Sequence, residues 1–416
     1  MIKLNSKINQ KLNIIKTISF LIFFIIIFKV KKIYPLNHYI TLIIEYDVYQ
    51  INYTKVYYVK SDDKLLTSFS ILNNTGAYND ELSGQAHLCE HIFFKNKYNN
   101  TYIKYILSNS GTYYNAATFN DFIIFYLTSN NQTILKNINI LLYSVFNPSF
   151  NEIDVNTEKN VVITELNTNY QDENIYKIFS KYYKPTGGTI NDLKKIDYKI
   201  LYNYWKKNYK PENFTIIIYS SLPFYYFKNS ITNYFKGEIK HIKTEKIYLK
   251  NYQEIKNNLY NPNNPNNFYE NFINFINKEI KDFETLETKD YIYFYIESKD
   301  NIIYYDLLSE IINKKSKDLN TTNNDKIETL SSFIPTKLAN FLIIKIKKIQ
   351  QKDANFHKNY LLNIINSINY KDIEYAYLKS YSDYLSFFSS NLDFIQFFSF
   401  LIGLNLLEEI KKFLDS

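Results

Sequence analysis

Two histidines four residues apart, with a glutamate beside the second, are the residues of this chain best suited to chemistry. Residues 87–91 read His-Leu-Cys-Glu-His, an H-x-x-E-H order that reverses the common zinc-binding H-E-x-x-H order. On a helix, His87 and His91 lie on one face about one turn apart, so both imidazoles can bind one Zn²⁺ at about 2.0–2.1 Å. Glu90 lies on that same face, where its carboxylate can take a proton from a zinc-activated water.

A catalytic zinc ion needs a third protein ligand, and a fourth position is left for water. Residues 157–165 are predicted to be helical, and Glu158 and Glu165 are seven residues apart, so they share one face. One carboxylate can bind the metal while the other holds a ligand or the active-site water. From the residues alone, the pair is equally compatible with an acidic, solvated helix face.

Five landmarks in a fixed order resemble the family of pitrilysin, insulin-degrading enzyme and mitochondrial processing peptidase, the inverzincin zinc peptidases. They are the lead-in Gly76–Glu81 with Gly84–His87, the helix end Phe93–Lys95 after the motif, the strand Gly111–Thr118, the E-x6-E segment Glu158–Glu165 and the step Tyr209–Phe214. The clear resemblance covers residues 48–240 of this sequence. It implies the family's fold and its zinc-dependent hydrolysis of peptide bonds.

The resemblance also implies roles for particular residues. In the E-x6-E segment, Glu165 is implied as the third zinc ligand, and Glu158 supports the site from outside the ligand set. The strand that holds Asn115, Ala116 and Thr118 is implied as the substrate strand, along which an extended peptide adds a further strand by backbone hydrogen bonds. The expected substrate is therefore a peptide or an unfolded protein.

These features predict a zinc-dependent metalloendopeptidase that hydrolyses peptides or processes protein precursors, with Glu90 as the general base. Two other classes remain open: a catalytically silent scaffold subunit of the same fold, and a membrane-anchored peptide-binding module. Retention of the two histidines together with Glu90 and Glu165 favours the enzyme.

A second subunit is also predicted. Full-length peptidases of the family resemble clamshells, and the half opposite the zinc contributes an arginine and a tyrosine that hold the substrate. This chain has no arginine, and lysine lacks the planar fork that makes bidentate contacts. The partner is expected to be a related chain without the zinc motif or, less favoured, another copy of this one.

Composition and charge exclude a nucleic-acid partner. The net charge is +8, but the first 40 residues hold seven lysines and no acid, which leaves 42 lysines against 41 acids in the remainder. The globular part is therefore nearly neutral and has no basic footprint. The 42 tyrosines and 32 phenylalanines accompany other residues that have AT-rich codons, which indicates a genome rich in A and T. These aromatic residues are therefore interpreted as ordinary core residues and not as an aromatic binding surface.

The N-terminal 40 residues are predicted to be a signal or membrane-anchor leader. Lysines precede the eleven-residue apolar run Ile18–Phe28, whose length suits a signal-peptide core and is short for a membrane-spanning helix. The protein is therefore expected to be membrane-associated or exported. The alternative is a cytoplasmic protein with an N-terminal extension that has no targeting role.

Strands and helices mix along the chain without a clean βαβ alternation, which predicts an α+β fold. Two related sheet-and-helix domains that together form one half of a clamshell are expected. The predicted divisions are a leader at 1–40, a zinc-peptidase domain at 45–240, an Asn/Pro-rich linker at 241–270 and a second, degenerate peptidase-like domain at 271–416.

Overall fold

The chain forms two compact units in a computed structural model. The structure describes residues 42–168, 178, 184–250, 268–280, 283–298, 301–322, 327–349, 352–388 and 390–415. Among them, unit 1 comprises Ile43–Ile247 and Phe387–Asn405, and unit 2 comprises Tyr248–Ser386 and Leu406–Ser416. The predicted leader, 1–40, and the linker residues 251–267 lie outside the described residues.

Strands and helices occur in both units. The strands are β1 (Leu42–Ile51), β2 (Thr54–Lys60), β3 (Leu66–Asn73), β4 (Lys97–Tyr98), β5 (Thr101–Tyr102), β6 (Tyr113–Thr118), β7 (Ile123–Asn130), β8 (Phe214–Ser220), β9 (Ile239–Leu249), β10 (Glu284–Glu287), β11 (Tyr291–Ser298), β12 (Thr329–Ile334) and β13 (Asn340–Lys347). The helices are α1 (Gln85–Lys95), α2 (Ile103–Asn109), α3 (Ile134–Phe146), α4 (Glu152–Thr168), α5 (Ile190–Lys195), α6 (Tyr198–Asn208), α7 (Tyr225–Phe235), α8 (Phe268–Glu279), α9 (Ile302–Thr322), α10 (Ala354–Asn366), α11 (Tyr370–Ser386), α12 (Asn391–Gly403) and α13 (Leu407–Asp415). The predicted α+β class is confirmed.

Unit 1 contains a seven-stranded sheet in the order β6-β7-β3-β8-β2-β1-β9. The pairs β6–β7, β7–β3, β3–β8 and β2–β1 are antiparallel, and β8 and β2 are parallel. The strand β6, which carries the predicted substrate-binding residues, is at one edge of this sheet. Its outer backbone groups are therefore not used by a neighbouring strand of the sheet.

Both faces of this sheet are covered by helices. Phe69 and Ile71 of β3 point into the main apolar core, which they share with Leu88 and Ile92 of α1. The intervening residue of β3, Ser70, points to the opposite face because successive strand residues alternate. There α12 packs on β3, β7 and β8, and the Ser399 hydroxyl donates to Ser70 at 2.9 Å.

Unit 2 contains a four-stranded antiparallel sheet in the order β10-β11-β13-β12. The helix α9 packs on β12 and β13 and also on α10, α11 and α13. The buried side chains Tyr293, Leu307 and Leu342 belong to its core. Residues 387–405, which fall in the second predicted domain, cluster with unit 1 instead because α12 packs on the sheet there.

The strands β1 and β2 form a hairpin in which Ile51 pairs with Thr54. Asn52 turns the chain with a φ of +52°, a conformation that asparagine tolerates, but asparagine is too abundant here to mark a turn by itself. Residues 241–249 were predicted to be part of the linker, and this prediction is wrong because they form most of β9. This strand lies at the edge of the sheet and is mostly exposed, so its sequence is rich in lysine, as a linker's would be.

Among the described residues, no single helix is both long and apolar enough to cross a membrane. The bent pair Tyr370–Ser386 and Asn391–Gly403 satisfies the length and composition test together, and by those two properties only.

Candidate metal centre

The helix α1 carries the two histidines, and its start is fixed by an aspartate outside it. The buried Asp80 carboxylate accepts hydrogen bonds from the backbone N–H groups of Gly84, at 2.8 Å, and Ala86, at 3.0 Å. These N–H groups have no partner within the helix, so Asp80 caps them. Leu88 and Ile92 are fully buried, and the apolar face of α1 therefore lies on the sheet.

Three possible ligand atoms lie together on the side of α1 that meets α4. His87 Nε2 and His91 Nε2 are 3.3 Å apart, and Glu165 Oε2 is 3.8 Å from each of them. They are the one group of three metal-binding side chains found among the described residues. Tetrahedral zinc with ligands at about 2.0–2.1 Å places its ligand atoms about 3.3 Å apart. The observed triangle is therefore close to the size that zinc requires.

Glu158 holds His91 in the orientation that a ligand needs. Its Oε2 is 3.0 Å from His91 Nδ1, and its Oε1 is 2.7 Å from the ammonium of Lys95. Because a carboxylate accepts the hydrogen bond, the proton is on Nδ1 and the lone pair of Nε2 points to Glu165 and His87. Burial opposes the charge on Glu158, but these two partners outweigh it and hold the pKa of the carboxyl below its usual value.

His87 is kept neutral by its surroundings. Burial, and then the neighbouring charge of His91, lower the pKa of His87 to about 3. Its Nδ1 is buried without a hydrogen-bond partner among the described residues. A neutral imidazole is the form that binds a metal, so the chemistry of this side chain fits a zinc ligand.

Glu90 lies beside the three ligand atoms but is not one of them. The Thr118 hydroxyl donates a hydrogen bond of 2.5 Å to Glu90 Oε2. Burial raises the pKa of Glu90 despite this hydrogen bond and the nearby His91. A carboxylate with a raised pKa is a stronger base, as general-base catalysis requires.

The structure separates the roles of the three residues predicted to bind substrate. Asn115 is exposed on the edge strand β6, whereas the Ala116 and Thr118 side chains are buried. The Thr118 hydroxyl is directed to Glu90 and not to a bound peptide. Of the three side chains, only that of Asn115 is exposed to solvent. The backbone N–H and C=O groups on the outer edge of β6 are the other groups of this strand that a peptide could contact.

The sequence interpretation missed the residues that place α1. Gly188, with a φ of +80°, packs so closely on Gly84 that a Cβ built at residue 188 would lie 2.7 Å from the Gly84 Cα. The Lys184 ammonium contacts the backbone carbonyl of Asp80, and the Lys184 N–H donates to Asn120 Oδ1 at 3.0 Å.

The remaining histidines and the cysteine lie outside this group. His241 pairs with Asp47 at 3.3 Å, and the buried His357 accepts from the Ile349 N–H at 3.1 Å. Burial raises the pKa of the Cys89 thiol well above its usual value, which disfavours the thiolate that metals bind.

Comparison with family models matches residues 56–186 to the insulinase family, peptidase family M16. The match includes α1, β6 and α4, and it confirms the resemblance predicted from the sequence. No curated protein sequence matches the chain.

Solved structures share the fold. A protease from Helicobacter pylori is 15% identical, with a TM-score of 0.67 over 88% of this chain and 92% of that chain. A peptidase M16 inactive domain from Pseudomonas fluorescens is 13% identical, with a TM-score of 0.64 over 89% of this chain and 90% of that one. The periplasmic protease PqqL from Escherichia coli is 11% identical, with a TM-score of 0.54 over 80% of this chain and 39% of that one.

Proposed function

Because residues 56–186 match the model of the insulinase family, peptidase family M16, we propose that the chain is a zinc-dependent metalloendopeptidase. It would hydrolyse peptides or process protein precursors. The observation that supports this most strongly is the triangle of His87 Nε2, His91 Nε2 and Glu165 Oε2, with edges of 3.3, 3.8 and 3.8 Å. A half-buried glutamate beside the triangle, Glu90, completes the set that peptide hydrolysis requires.

Zinc bound there would polarise the scissile carbonyl and activate a water at neutral pH. The protein's own part is carried by Glu90. Its Oε2 is held by the Thr118 hydroxyl, which leaves Oε1 as the oxygen that takes the proton and returns it to the leaving amine. Glu158 keeps the His91 ring in place throughout, because it binds the nitrogen that faces away from the other ligands.

The substrate would bind as an additional strand on β6. This strand is at the edge of the seven-stranded sheet, and its Thr118 contacts the proposed base. A peptide on that edge would be held by backbone hydrogen bonds, so it must be extended and need not have a particular sequence. This favours peptides and unfolded proteins over folded ones.

The test is cleavage by the purified full chain of a mixture of unstructured peptides, followed by mass spectrometry. Cleavage should stop with a metal chelator and return when zinc is restored. The Glu90→Gln variant should keep stoichiometric zinc and lose hydrolysis by several orders of magnitude. Cleavage that is insensitive to the chelator, or a wild-type protein without zinc, would contradict the proposal.

A scaffold subunit is the second candidate, because a structure described as an inactive M16 domain shares this fold. A scaffold need not keep the base, and this chain keeps Glu90 hydrogen-bonded to Thr118 beside the possible metal ligands. The two candidates separate in the same assay. A scaffold or peptide-binding module would bind peptides without cleaving them, and Glu90→Gln would change nothing.

A second subunit is proposed as a partner for catalysis. The chain has no arginine with which to hold a substrate carbonyl or carboxylate bidentately. In addition, the match covers only 39% of the PqqL chain. Purified alone, the chain should load zinc and cleave slowly, and its activity should rise when a related chain without the motif is added. A monomer with full turnover would argue against a partner.

Export or membrane association is proposed from the apolar run Ile18–Phe28, and the fold is shared with a protein described as periplasmic. Full-length protein should fractionate with membranes or lose its leader. Protein without residues 1–40 should be soluble and still bind zinc. Full-length, uncleaved protein found wholly in the soluble fraction would contradict this part of the proposal.

A further inference from the structure

Unit 2 repeats the part of unit 1 that builds the metal centre. In unit 1 the order is β3, α1, β6, β7, α3, α4, with β4, β5 and α2 inserted between α1 and β6, and in unit 2 it is β11, α9, β12, β13, α10, α11. The two sheets contain the matching antiparallel series β6-β7-β3 and β12-β13-β11. In each unit the helix after the first strand packs on the last helix, α1 on α4 and α9 on α11.

An ion pair joins the two helices in each unit and can be used to align the residues of α1 and α4 with those of α9 and α11. In unit 1 the Lys95 ammonium of α1 is 2.7 Å from Glu158 Oε1 of α4. In unit 2 the ammonium groups of Lys314 and Lys315 of α9 are 3.4 and 2.7 Å from the two oxygens of Asp372 in α11. The closer of the two, Lys315, does not decide the register by itself. Lys314 is taken as the counterpart of Lys95 because it places Glu310, which contacts Lys379 at 3.1 Å, four residues before the lysine, as His91 lies four residues before Lys95. Asp372 then corresponds to Glu158.

The spacing on either side of this ion pair is also repeated. The metal-binding histidines lie four and eight residues before the lysine of α1, and Glu310 and Asp306 lie four and eight residues before Lys314. The metal-binding glutamate lies seven residues after the glutamate of the ion pair in α4, and Lys379 lies seven residues after Asp372. Two acids and a lysine thus occupy the positions of two histidines and a glutamate.

We propose that unit 2 contains a converted metal site, in which the Lys379 ammonium supplies the positive charge that a metal ion would supply in unit 1. The Lys379 Nζ is 3.1 Å from Glu310 Oε1 on the facing helix and 2.8 Å from Asp383 Oδ2 on its own helix. Because this cation is a side chain of the protein, the cluster needs no bound metal ion. The ion pair between Lys379 and Glu310 joins α11 to α9.

The charges in this cluster agree with that assignment. Burial lowers the pKa of Lys379, but the two carboxylates beside it outweigh burial and raise the pKa overall. Burial, and then Glu310, raise the pKa of Asp306 to about 6. The Asp306 Oδ2 accepts hydrogen bonds from the hydroxyls of Ser380, at 3.1 Å, and Tyr384, at 3.2 Å. The ammonium is therefore the charge that balances the acids.

An ordinary ion pair on the surface of two helices is the alternative. Such a pair contributes little, because solvent screens it and ordering the side chains costs entropy. Lys379 differs in that its carboxylate partners come from two helices, and its charge also lowers the pKa of a third carboxyl, Asp306. Lys379 and Glu310 are each 27% exposed, so their attraction is only partly screened, and removing the ammonium leaves the carboxylates of two helices without a counter-charge.

The first test restores the ligand types of unit 1 at the corresponding positions of unit 2. The variant combines Asp306→His, Glu310→His and Lys379→Glu in a full chain that also carries His87→Ala and His91→Ala. The background should bind no stoichiometric zinc, and the combined variant should bind one zinc per chain. The proposal rests on the proposed function, because it takes the ligand positions from unit 1. The background lacks both unit 1 histidines, so any zinc that the combined variant binds is bound in unit 2. The zinc content of the variant therefore tests this proposal even if unit 1 is not a peptidase site.

A folded combined variant that binds no more zinc than its background would overturn the inference. The count is made by metal analysis after gel filtration, with far-ultraviolet circular dichroism as the check on folding. A variant with only Asp306→His and Glu310→His should bind zinc weakly or not at all, because the lysine remains.

The second test covers the case in which the combined variant does not fold. Lys379→Met should lower the urea midpoint of unfolding clearly, and adding Glu310→Gln should restore part of the loss. The matched control is Lys348→Met, since Lys348 is similarly exposed, 23% against 27%, and has one ion pair, with Glu287, among the described residues. Equal midpoints for Lys379→Met and Lys348→Met, or no recovery with Glu310→Gln, would contradict the role assigned to the ammonium.

Discussion

The Thr118 hydroxyl donates a 2.5 Å hydrogen bond to Glu90 Oε2 and so joins the edge strand β6 to the helix that carries both histidines. Thr118, which is predicted to bind substrate, has a buried side chain that contacts the proposed base. The same strand therefore presents its backbone to solvent and orients the glutamate beside the ligand atoms. Binding of a peptide and placement of the base would be linked through one residue.

Removing that hydroxyl should weaken catalysis without removing the metal. In Thr118→Val the side-chain volume is kept but Glu90 loses its donor, so kcat should fall by about 10- to 100-fold while zinc content stays at one per chain. Thr118→Ser keeps the donor and should retain most of the activity. Steady-state kinetics and metal analysis on both variants provide the measurement, and equal activity of the valine and serine variants would contradict it.

Glu158 should be needed for tight zinc binding although it is not a ligand. In Glu158→Gln the His91 ring loses its charged acceptor, and zinc affinity should fall by about 10- to 100-fold. Glu152→Gln is the matched control, because Glu152 is exposed on the same helix. Competition with a chromogenic chelator measures both. Two variants that bind zinc as tightly as wild type would show that Glu158 does not orient the ligand.

Asp80 should make stability depend on pH. Burial raises the pKa of Asp80 from 3.8 to about 7, although the Gly84 and Ala86 N–H groups oppose the shift. Between those values the folded state keeps a proton that the unfolded chain has lost, so stability is greatest at low pH and falls as pH rises through about 7. The advantage of wild type over Asp80→Asn should therefore be larger at pH 5 than at pH 8 by about 1–3 kcal/mol.

Urea unfolding at the two pH values measures this difference. The control is Asp192→Asn, because Lys195 first, and then hydrogen bonds from Ser83 and Thr189, hold the pKa of Asp192 below its usual value. That group is ionised at both pH values, so its variant should show no such change. A wild-type advantage over Asp80→Asn that is the same at pH 5 and pH 8 would refute the assignment.

Gly188 should be required for the position of α1, the helix that carries the proposed metal ligands His87 and His91. A Cβ there meets the Ser83 carbonyl and the Gly84 Cα, and the φ of +80° adds backbone strain. Gly188→Ala should therefore lower stability by about 2–4 kcal/mol and weaken zinc binding. Gly111→Ala is the control, since its φ of +66° is also left-handed but the space around it is open. It should cost only about 1 kcal/mol. Equal losses in the two variants would mean that the contact with α1 is unimportant.

Much of the site could be predicted from sequence because its spacing is local. Residues four apart on a helix share a face whatever the rest of the protein does, so His87, Glu90 and His91 could be placed together at once. The helix bearing Glu158 and Glu165 was also predictable, but the residues alone did not say which of the two would be a ligand.

The sequence by itself determined the ligand types, their helical spacing and the resemblance to the inverzincin peptidases. Only the tertiary structure decided which atoms meet: Glu158 with His91 Nδ1, Thr118 with Glu90, and Asp80 with the start of α1. These pairs are separated by 67, 28 and 4 residues, and the first two depend on how α4 and β6 pack against α1. The ion pair of Lys379 with Glu310 likewise appeared only when α9 and α11 were seen side by side. Helix periodicity is set by the backbone and can be read locally, whereas contacts between distant segments are set by packing.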